Sequence, residues 1–186
     1  SNYGNAVLSL YAIGMSDSHD HIPGSTHSVF NQSPIFGGHN AWSDDPLLMR
    51  IASALPIQVK DGFSQYGKWL GAKETLELAR LANKHMPTLK THDAKGNRAD
   101  IVEFHPSYHA FMRKSVSQGL HCSVWELIPE ENGHRHVTRG IRFYMTSGVE
   151  LGHLCPITMT NACVAAMKKT PDLAEEWLPL ITSRKY

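Results

Sequence analysis

The side chains most able to do chemistry in this sequence are its 12 histidines. His105 and His109 are four positions apart, a spacing at which two imidazoles on one helix face bind zinc. No glutamate follows His105 and no third ligand is evident, so a packed or capping histidine is the favoured interpretation at both positions. The cluster SDSHDH at residues 16–21 also lacks a committed third and fourth ligand, and it is typical of a solvated loop.

The other common catalytic motifs do not occur in the sequence. It contains no glycine-rich phosphate loop of either common spacing and no serine in a nucleophile elbow. The residues by themselves therefore assign no catalytic group. The three cysteines, Cys122, Cys155 and Cys163, are few and odd in number, which predicts free thiols in a reducing compartment, the cytoplasm.

The composition is that of one globular domain. The chain has 186 residues, of which 41% are hydrophobic and 19% charged, so it can bury a sizeable core. Its 18 basic and 17 acidic residues leave a net charge of +1, which argues against a dedicated nucleic-acid-binding domain. No apolar run is long enough for a transmembrane helix, so we expect no membrane partner.

The hydrophobic pattern predicts a mainly helical chain with a small β-hairpin. Residues 1–43 are predicted to form an extended arm, anchored by Phe30 and then by Ile35 and Phe36. The later elements are predicted in this order: a helix capped by Ser43 and ending near Leu55, a helix over 59–84 that kinks near Gly71, a hairpin of 88–91 and 101–104, a helix over 106–120, and a last helix capped by Asp172.

The longest apolar-rich stretch, residues 137–167, is predicted to form two helices. One helical face is indicated by residues at steps of three and four, namely Ile141, Tyr144, Met145, Gly148, Val149, Gly152 and His153. Each glycine inside a helix costs about 1 kcal/mol relative to alanine, so a neighbour or ligand is expected to approach the backbone closely there. The break is predicted at 154–155, with Pro156 opening the second helix.

Four segments in the same order resemble the first helical domain of acyl-CoA dehydrogenases, and within that family the AidB branch. They are THSVFNQ at 26–32, LGAKETLELARLAN at 70–83, VEFHPSYHAFM at 102–112 and TSGVELGHLCPITMT at 146–160. The resemblance covers residues 25–186 and implies an up-and-down helical bundle over 44–186. Family members are much longer, so the chain resembles an amino-terminal piece that lacks the middle β-domain and the last helical domain.

The resemblance also implies a function. In this family FAD and the catalytic carboxylate belong mainly to the two missing domains, so we expect FAD in the complete protein and none on this chain alone. The first domain supplies one wall of the acyl tunnel, which carried over to this sequence consists of Tyr144, Met145, Gly148 and Gly152. Glycine at position 148 leaves room in that wall and favours a longer acyl chain.

The resemblance implies several partners and leaves three functions open. The expected partners are an acyl-CoA or fatty acyl ligand, the remaining domains of the same protein, and further copies in a homo-oligomer, with any DNA contact of the AidB branch lying outside this domain. Without those domains the chain is expected to expose an apolar patch and to be marginally stable or self-associating. The open functions are an active dehydrogenase, a non-catalytic damage-response or fatty-acid-sensing flavoprotein, and a free-standing helical interaction module.

Overall fold

A computed structural model of the chain describes Gly24, Thr26, residues 31–131 and residues 133–186. These residues form a mainly helical fold with one two-stranded antiparallel sheet, which confirms the predicted fold class. The helices are α1 Pro46–Ile51, α2 Ile57–Leu70, α3 Lys73–Lys84, α4 Pro106–Ser117, α5 Arg135–Ser147, α6 Leu154–Met167 and α7 Pro171–Ile181. The strands are β1 Thr88–His92 and β2 Arg98–Glu103, and a short 3-10 helix spans Pro129–Glu131.

The predicted anchors of the amino-terminal arm are exposed where the structure describes them. Ile35 is 61% exposed and Phe36 is 77% exposed, contrary to the burial predicted for them, and Phe30 lies outside the described residues. Within the compact unit Gly37–Tyr186, Trp42 is 3% exposed, and the centre of its ring lies 4.9 Å from that of Phe63.

The first helix is shorter than its sequence pattern predicts. Its cap is Asp45 and not Ser43, because the Asp45 carboxylate accepts hydrogen bonds from the N–H groups of Leu47 and Leu48 at 2.9 and 3.1 Å. Pro46 occupies the first helical position, where its missing N–H is not needed. The helix ends at Ile51, and Leu55 follows in a turn although its side chain is buried.

The single helix predicted over 59–84 is two helices, α2 and α3. Gly71 caps the end of α2, and the carbonyl oxygen of His39 lies only 2.1 Å from the position that a Cβ at residue 71 would take. Gly38 also donates its N–H to the carbonyl of Gly71 at 2.8 Å. The kink predicted near Gly71 is therefore a full break between two helices, because residues 38–39 cross the end of α2 at this point.

The predicted hairpin is confirmed. β1 and β2 pair in the register Thr88↔Glu103, Leu89↔Val102 and Lys90↔Ile101, and Lys90 forms an ion pair with Glu103 at 2.6 Å across the strands. The turn is organised by Asp93, whose carboxylate accepts the N–H groups of Lys95 and Asn97 at 2.8 and 2.9 Å. Most hairpin side chains are exposed, so the helices form the core without it.

The helices of the bundle pack in pairs around two buried clusters. α2 packs on α5, α3 on α4, α4 on α6, and α6 on α7. The larger cluster joins α1, α2 and α5 through Leu48, Phe63, Tyr66, Leu70, Ile141 and Met145, among others. The smaller cluster joins α4 to α6 through Val116, Leu120, Leu154 and Ile157, with Met112 and Phe143 packed against it. The second cluster holds α6 in place beneath the site described below.

Two glycines of α2 give a matched test of how tightly residues 40–42 cross it. A Cβ at residue 67 would lie 2.4 Å from the side-chain oxygen of Asn40 and 2.6 Å from the backbone nitrogen of Trp42. Gly67→Ala should therefore lower the free energy of unfolding by about 1–3 kcal/mol, measured by urea titration.

The control is Gly62→Ala on the same helix, where nothing lies within 4 Å of the new methyl group. This change should raise stability by up to about 1 kcal/mol, because alanine favours the helix. Equal effects at the two positions would contradict the close crossing.

Candidate functional site

An open apolar groove lies on the surface between the end of α5 and the first half of α6. Its volume is about 440 Å³, and its lining consists of Phe143, Leu151, Leu154, Cys155, Thr158, Met159 and Ala162. The lining contains no Asp, Glu, Lys, Arg or His. Leu151 and Met159 are 66% and 65% exposed, so the groove presents apolar surface directly to solvent. Such a surface is suited to an elongated apolar ligand or to a covering domain.

Helix α6 extends this uncharged surface beyond the groove. Leu154–Met167 contains no Asp, Glu, Lys or Arg. Its inner side buries Leu154, Ile157 and Val164, while its outer side exposes Cys155, Thr158, Met159, Ala162, Ala165 and Ala166. A surface helix normally places charged residues on its outer side, and a helix that is apolar all round is normally buried. The outer side of α6 therefore has the character of a binding face.

The connection from α5 to α6 is held by one buried carboxylate. Glu150 accepts the N–H groups of Gly152 and His153 at 2.7 and 3.0 Å, and the Nδ1 atom of the His153 ring makes a further short hydrogen bond to it. Burial by itself raises the pKa of the Glu150 carboxyl, but these three hydrogen bonds outweigh burial and lower the pKa to about 2. The carboxylate also faces the amino-terminal end of α6, where negative charge is favoured.

A chain of buried polar side chains continues from this carboxylate into the core. The Nε2 atom of His153 lies 2.7 Å from the hydroxyl of Ser115 on α4. Tyr66 on α2 shares a hydrogen bond of 2.7 Å with Thr146. Burial raises the pKa of Tyr66, and hydrogen bonds with Thr146 and Ser115 partly offset that increase. These hydrogen bonds link α2, α4 and α5 to the start of α6. Each polar side chain in the network is hydrogen-bonded, as burial requires.

Ser115, His153 and Glu150 repeat the order of groups in a hydrolase triad. A triad attacks a substrate only if its hydroxyl can reach one. Ser115 and His153 are completely buried, Glu150 is 4% exposed, and Ser115 does not line the groove. We therefore assign the three side chains a structural role.

The four residues predicted to form the acyl wall do not share one face. Met145 is 3% exposed and belongs to the larger buried cluster, whereas Tyr144 is 53% exposed. Helix α5 ends at Ser147, so Gly148 is its cap and Gly152 lies in the connection, and the prediction of a continuous helical face is wrong. The break lies at 148–153 instead of 154–155, and Pro156 is the third residue of α6. None of the four residues lines the groove.

The groove itself was missed from the sequence. Its signal is the absence of Asp, Glu, Lys and Arg from 151–167, combined with an outward helical face in the second of the two predicted helices. That face recurs at steps of one, three and four through Leu154, Cys155, Thr158, Met159 and Ala162.

The histidines singled out from the sequence have structural partners. The Nδ1 atom of His105 caps α4 by accepting the N–H of Ser107 at 3.2 Å, which confirms the capping interpretation. The Nδ1 atom of His109 lies 2.8 Å from the hydroxyl of Tyr186. Among the described residues, no three His, Cys, Asp or Glu side chains group as metal ligands would, and residues 16–21 lie outside that part of the chain.

Comparison with known proteins decides the family. Residues 31–186 match the family model described as the adaptive response protein AidB N-terminal domain. The chain belongs to this family. It is also 35% identical over 163 residues to the putative acyl-CoA dehydrogenase AidB of Escherichia coli strain K12, a match that covers 87% of this chain and 30% of that protein. The chain thus spans less than a third of the length of this AidB relative.

Two solved structures share the fold. One is Caenorhabditis elegans ACDH-11 in complex with C11-CoA, with a TM-score of 0.70 and 24% identity over 90% of this chain and 29% of that chain. The other is the apo form of Bd2924, with a TM-score of 0.70 and 20% identity over 80% of this chain and 30% of that one. In the described part of the AidB-type domain, no helix is both long and apolar enough to cross a membrane.

The low pKa of Glu150 gives a test by pH. A carboxyl whose pKa falls from 4.5 to about 2 on folding stabilises the protein above pH 4.5, and this contribution disappears as the pH falls towards 2. Glu150→Gln should therefore cost about 3 kcal/mol of unfolding free energy at neutral pH, measured by urea titration. The difference from the wild type should shrink steadily between pH 4.5 and 2.

Glu176→Gln, at an exposed position of α7, is the control and should change stability by less than about 0.5 kcal/mol. A difference between wild type and Glu150→Gln that stays constant from pH 7 to pH 2 would show that the charge of Glu150 is not what stabilises the connection.

Proposed function

We propose that this domain provides one wall of the acyl-binding tunnel in a complete, FAD-dependent acyl-CoA dehydrogenase-like protein of the AidB type. The observation that carries the proposal is the uncharged groove along α6. A saturated acyl chain gains about 0.8 kcal/mol for each methylene removed from water, and it needs no polar partner along its length. The C11-CoA held by ACDH-11, whose fold is similar, supports this choice of ligand.

In this proposal the groove residues contact the acyl chain and orient it. Phe143, Leu151 and Met159 supply the apolar surface against which the methylenes pack. The lining contains no carboxylate or imidazole that could take a proton from the substrate. The proton abstraction of a dehydrogenase would therefore rest on a group in another domain of the complete protein, consistent with a binding role for this one.

The groove does not fit a flavin. A flavin requires hydrogen-bond partners for its ring edge and for its diphosphate, whereas the lining offers only the hydroxyl of Thr158 and the thiol of Cys155. We therefore propose that FAD in the complete protein is held by domains other than this one, and we assign no residue of this chain to it.

The four residues predicted to form the acyl wall have different roles in this proposal. Tyr144 and Gly148 are exposed and are available to a ligand or a neighbouring domain. A Cβ at residue 148 would approach only the carbonyl oxygen of Met145, at 3.6 Å, which agrees with free space at that position. Met145 supports the wall from the core, and Gly152 acts through the Glu150 hydrogen bond.

The proposal also covers the partners and the location of the complete protein. We propose that the outer side of α6 not occupied by ligand is covered by the other domains of the complete protein, and that this protein is a homo-oligomer. The three cysteines are free, which supports a cytoplasmic protein. A DNA contact, if the complete protein has one, would lie elsewhere in it.

A dehydrogenase and a fatty-acid-sensing flavoprotein would both use such a groove, and the description of the family as an adaptive response protein supports the sensor as the second candidate function. Turnover of a saturated acyl-CoA with an artificial electron acceptor decides between them. Turnover by the complete protein supports the dehydrogenase. Binding without turnover supports the sensor and leaves the groove assignment intact.

The groove assignment predicts how affinity depends on chain length. In the complete protein, each methylene added to a saturated acyl-CoA should tighten binding by up to about fourfold until the groove is filled. Met159→Glu should weaken binding of a long acyl-CoA by about tenfold or more, because the ligand would then bury a charge. Isothermal titration calorimetry with a series of chain lengths measures both effects.

Met86→Glu is the matched control, since Met86 is 79% exposed and does not line the groove. It should leave the affinity for every chain length unchanged. Equal losses in the two variants, or an affinity that does not depend on chain length, would contradict the groove as the acyl site.

A further inference from the structure

We propose that Glu150 is a positioning residue for the acyl groove, and this inference rests on the function proposed above. Its carboxylate fixes the backbone of residues 151–154, and that segment forms the end wall of the groove. Two of its residues, Leu151 and Leu154, line the groove. The two between them, Gly152 and His153, are those whose N–H groups Glu150 binds.

Both oxygens of the carboxylate are used in this arrangement. Oε1 accepts the N–H of Gly152 at 2.7 Å, and Oε2 accepts the N–H of His153 at 3.0 Å together with the ring of the same residue. Glutamine at position 150 has one acceptor oxygen, and its amide group would face an N–H donor with another donor. The amide variant therefore releases one end of the segment while it keeps the size of the side chain.

Two helices behind the connection keep the carboxylate in place. Ser115 on α4 binds the far side of the His153 ring at 2.7 Å, and the side-chain amide of Asn83 at the end of α3 reaches Oε1 at 3.3 Å. The carboxylate is thus oriented by groups that do not touch the groove. Its effect on a ligand must pass through residues 151–154.

Gly152 shows how closely the segment and the carboxylate fit. A Cβ at residue 152 would lie 2.9 Å from Oε1 of Glu150, so any side chain there must displace the carboxylate. Gly152→Ala therefore disturbs the same contact from the opposite side while it leaves the charge in place. It serves as a second variant that does not depend on the stability of Glu150→Gln.

A double-mutant cycle separates positioning from general stabilisation. The ligand is a saturated long-chain acyl-CoA, and its affinity for the complete protein is measured for Leu151→Ala and Met159→Ala, each alone and each combined with Glu150→Gln. Leu151→Ala alone should weaken binding about fivefold to tenfold. In the Glu150→Gln background the same change should weaken it by less than about twofold, because Leu151 is no longer held against the ligand.

Met159→Ala provides the internal comparison, because Met159 lies on α6 beyond the segment that Glu150 binds. Its effect on affinity should be the same in both backgrounds. A general loss of stability would change both cycles alike. A selective loss of the Leu151 effect is expected only if Glu150 acts through residues 151–154.

Amide hydrogen exchange tests the same contact without ligand. In Glu150→Gln and in Gly152→Ala, the amides of Gly152 and His153 should exchange at least about tenfold faster than in the wild type, while those of α2 keep their protection. If Glu150→Gln does not fold, the Leu151 cycle with Gly152→Ala replaces it, with the same expected loss of the Leu151 effect.

The outcomes distinguish this inference from the function beneath it. If neither Leu151→Ala nor Met159→Ala changes the affinity, the groove is not the acyl site and the proposed function is overturned together with the inference. If both changes weaken binding but Leu151→Ala keeps its full effect beside Glu150→Gln or Gly152→Ala, only the positioning role of Glu150 is overturned.

Discussion

The buried carboxylate of Glu150 is the interaction on which the end wall of the groove depends. It turns the chain between α5 and α6 by accepting two backbone N–H groups and the ring of His153. A buried charge is costly unless it is fully hydrogen-bonded, and here its partners outweigh the cost of burial, as its lowered pKa indicates. Because Ser115 anchors the His153 ring to α4, the start of α6 is fixed relative to the core. Residues 151–154, which form the end wall of the groove, are therefore held in place.

Much of the fold could be predicted from the sequence, because turn residues, helix-starting prolines and hydrophobic spacing agree with the observed elements. The hairpin had alternating strands around a turn with Asp and Gly, and the helix that starts at Pro106 had a proline at its first position. Two of the errors fall on glycines. Gly71 ends a helix because the carbonyl of His39 crosses there. After Gly148, which ends another helix, the connection is held by hydrogen bonds from the N–H groups of Gly152 and His153 to the Glu150 carboxylate. These are tertiary or side-chain contacts that hydrophobic periodicity does not record.

The candidate site could likewise be predicted only in part. The sequence and its resemblance indicated the region of residues 144–152, and the groove lies at its end and along α6. The four residues predicted for the acyl wall do not line the groove, because the predicted helical face extended across the break at 148–153. Met145 belongs to the core, while Leu151 and Met159 form exposed apolar surface. A stretch without charges was the more informative signal, since charge is what an apolar binding face must lack.

Cys155 offers the most direct test of the central claim, which is that the groove receives an acyl chain. Its thiol is exposed in the groove wall, whereas Cys122 is buried and its pKa is raised to about 12 by burial and by Glu126, so Cys122 should stay unreactive. The rate of alkylation at each cysteine of the complete protein is measured by mass spectrometry, with long-chain acyl-CoA or with coenzyme A alone. The account predicts that acyl-CoA slows alkylation of Cys155 by about tenfold or more and that coenzyme A does not. Equal rates at Cys155 under saturating acyl-CoA and under coenzyme A would contradict it.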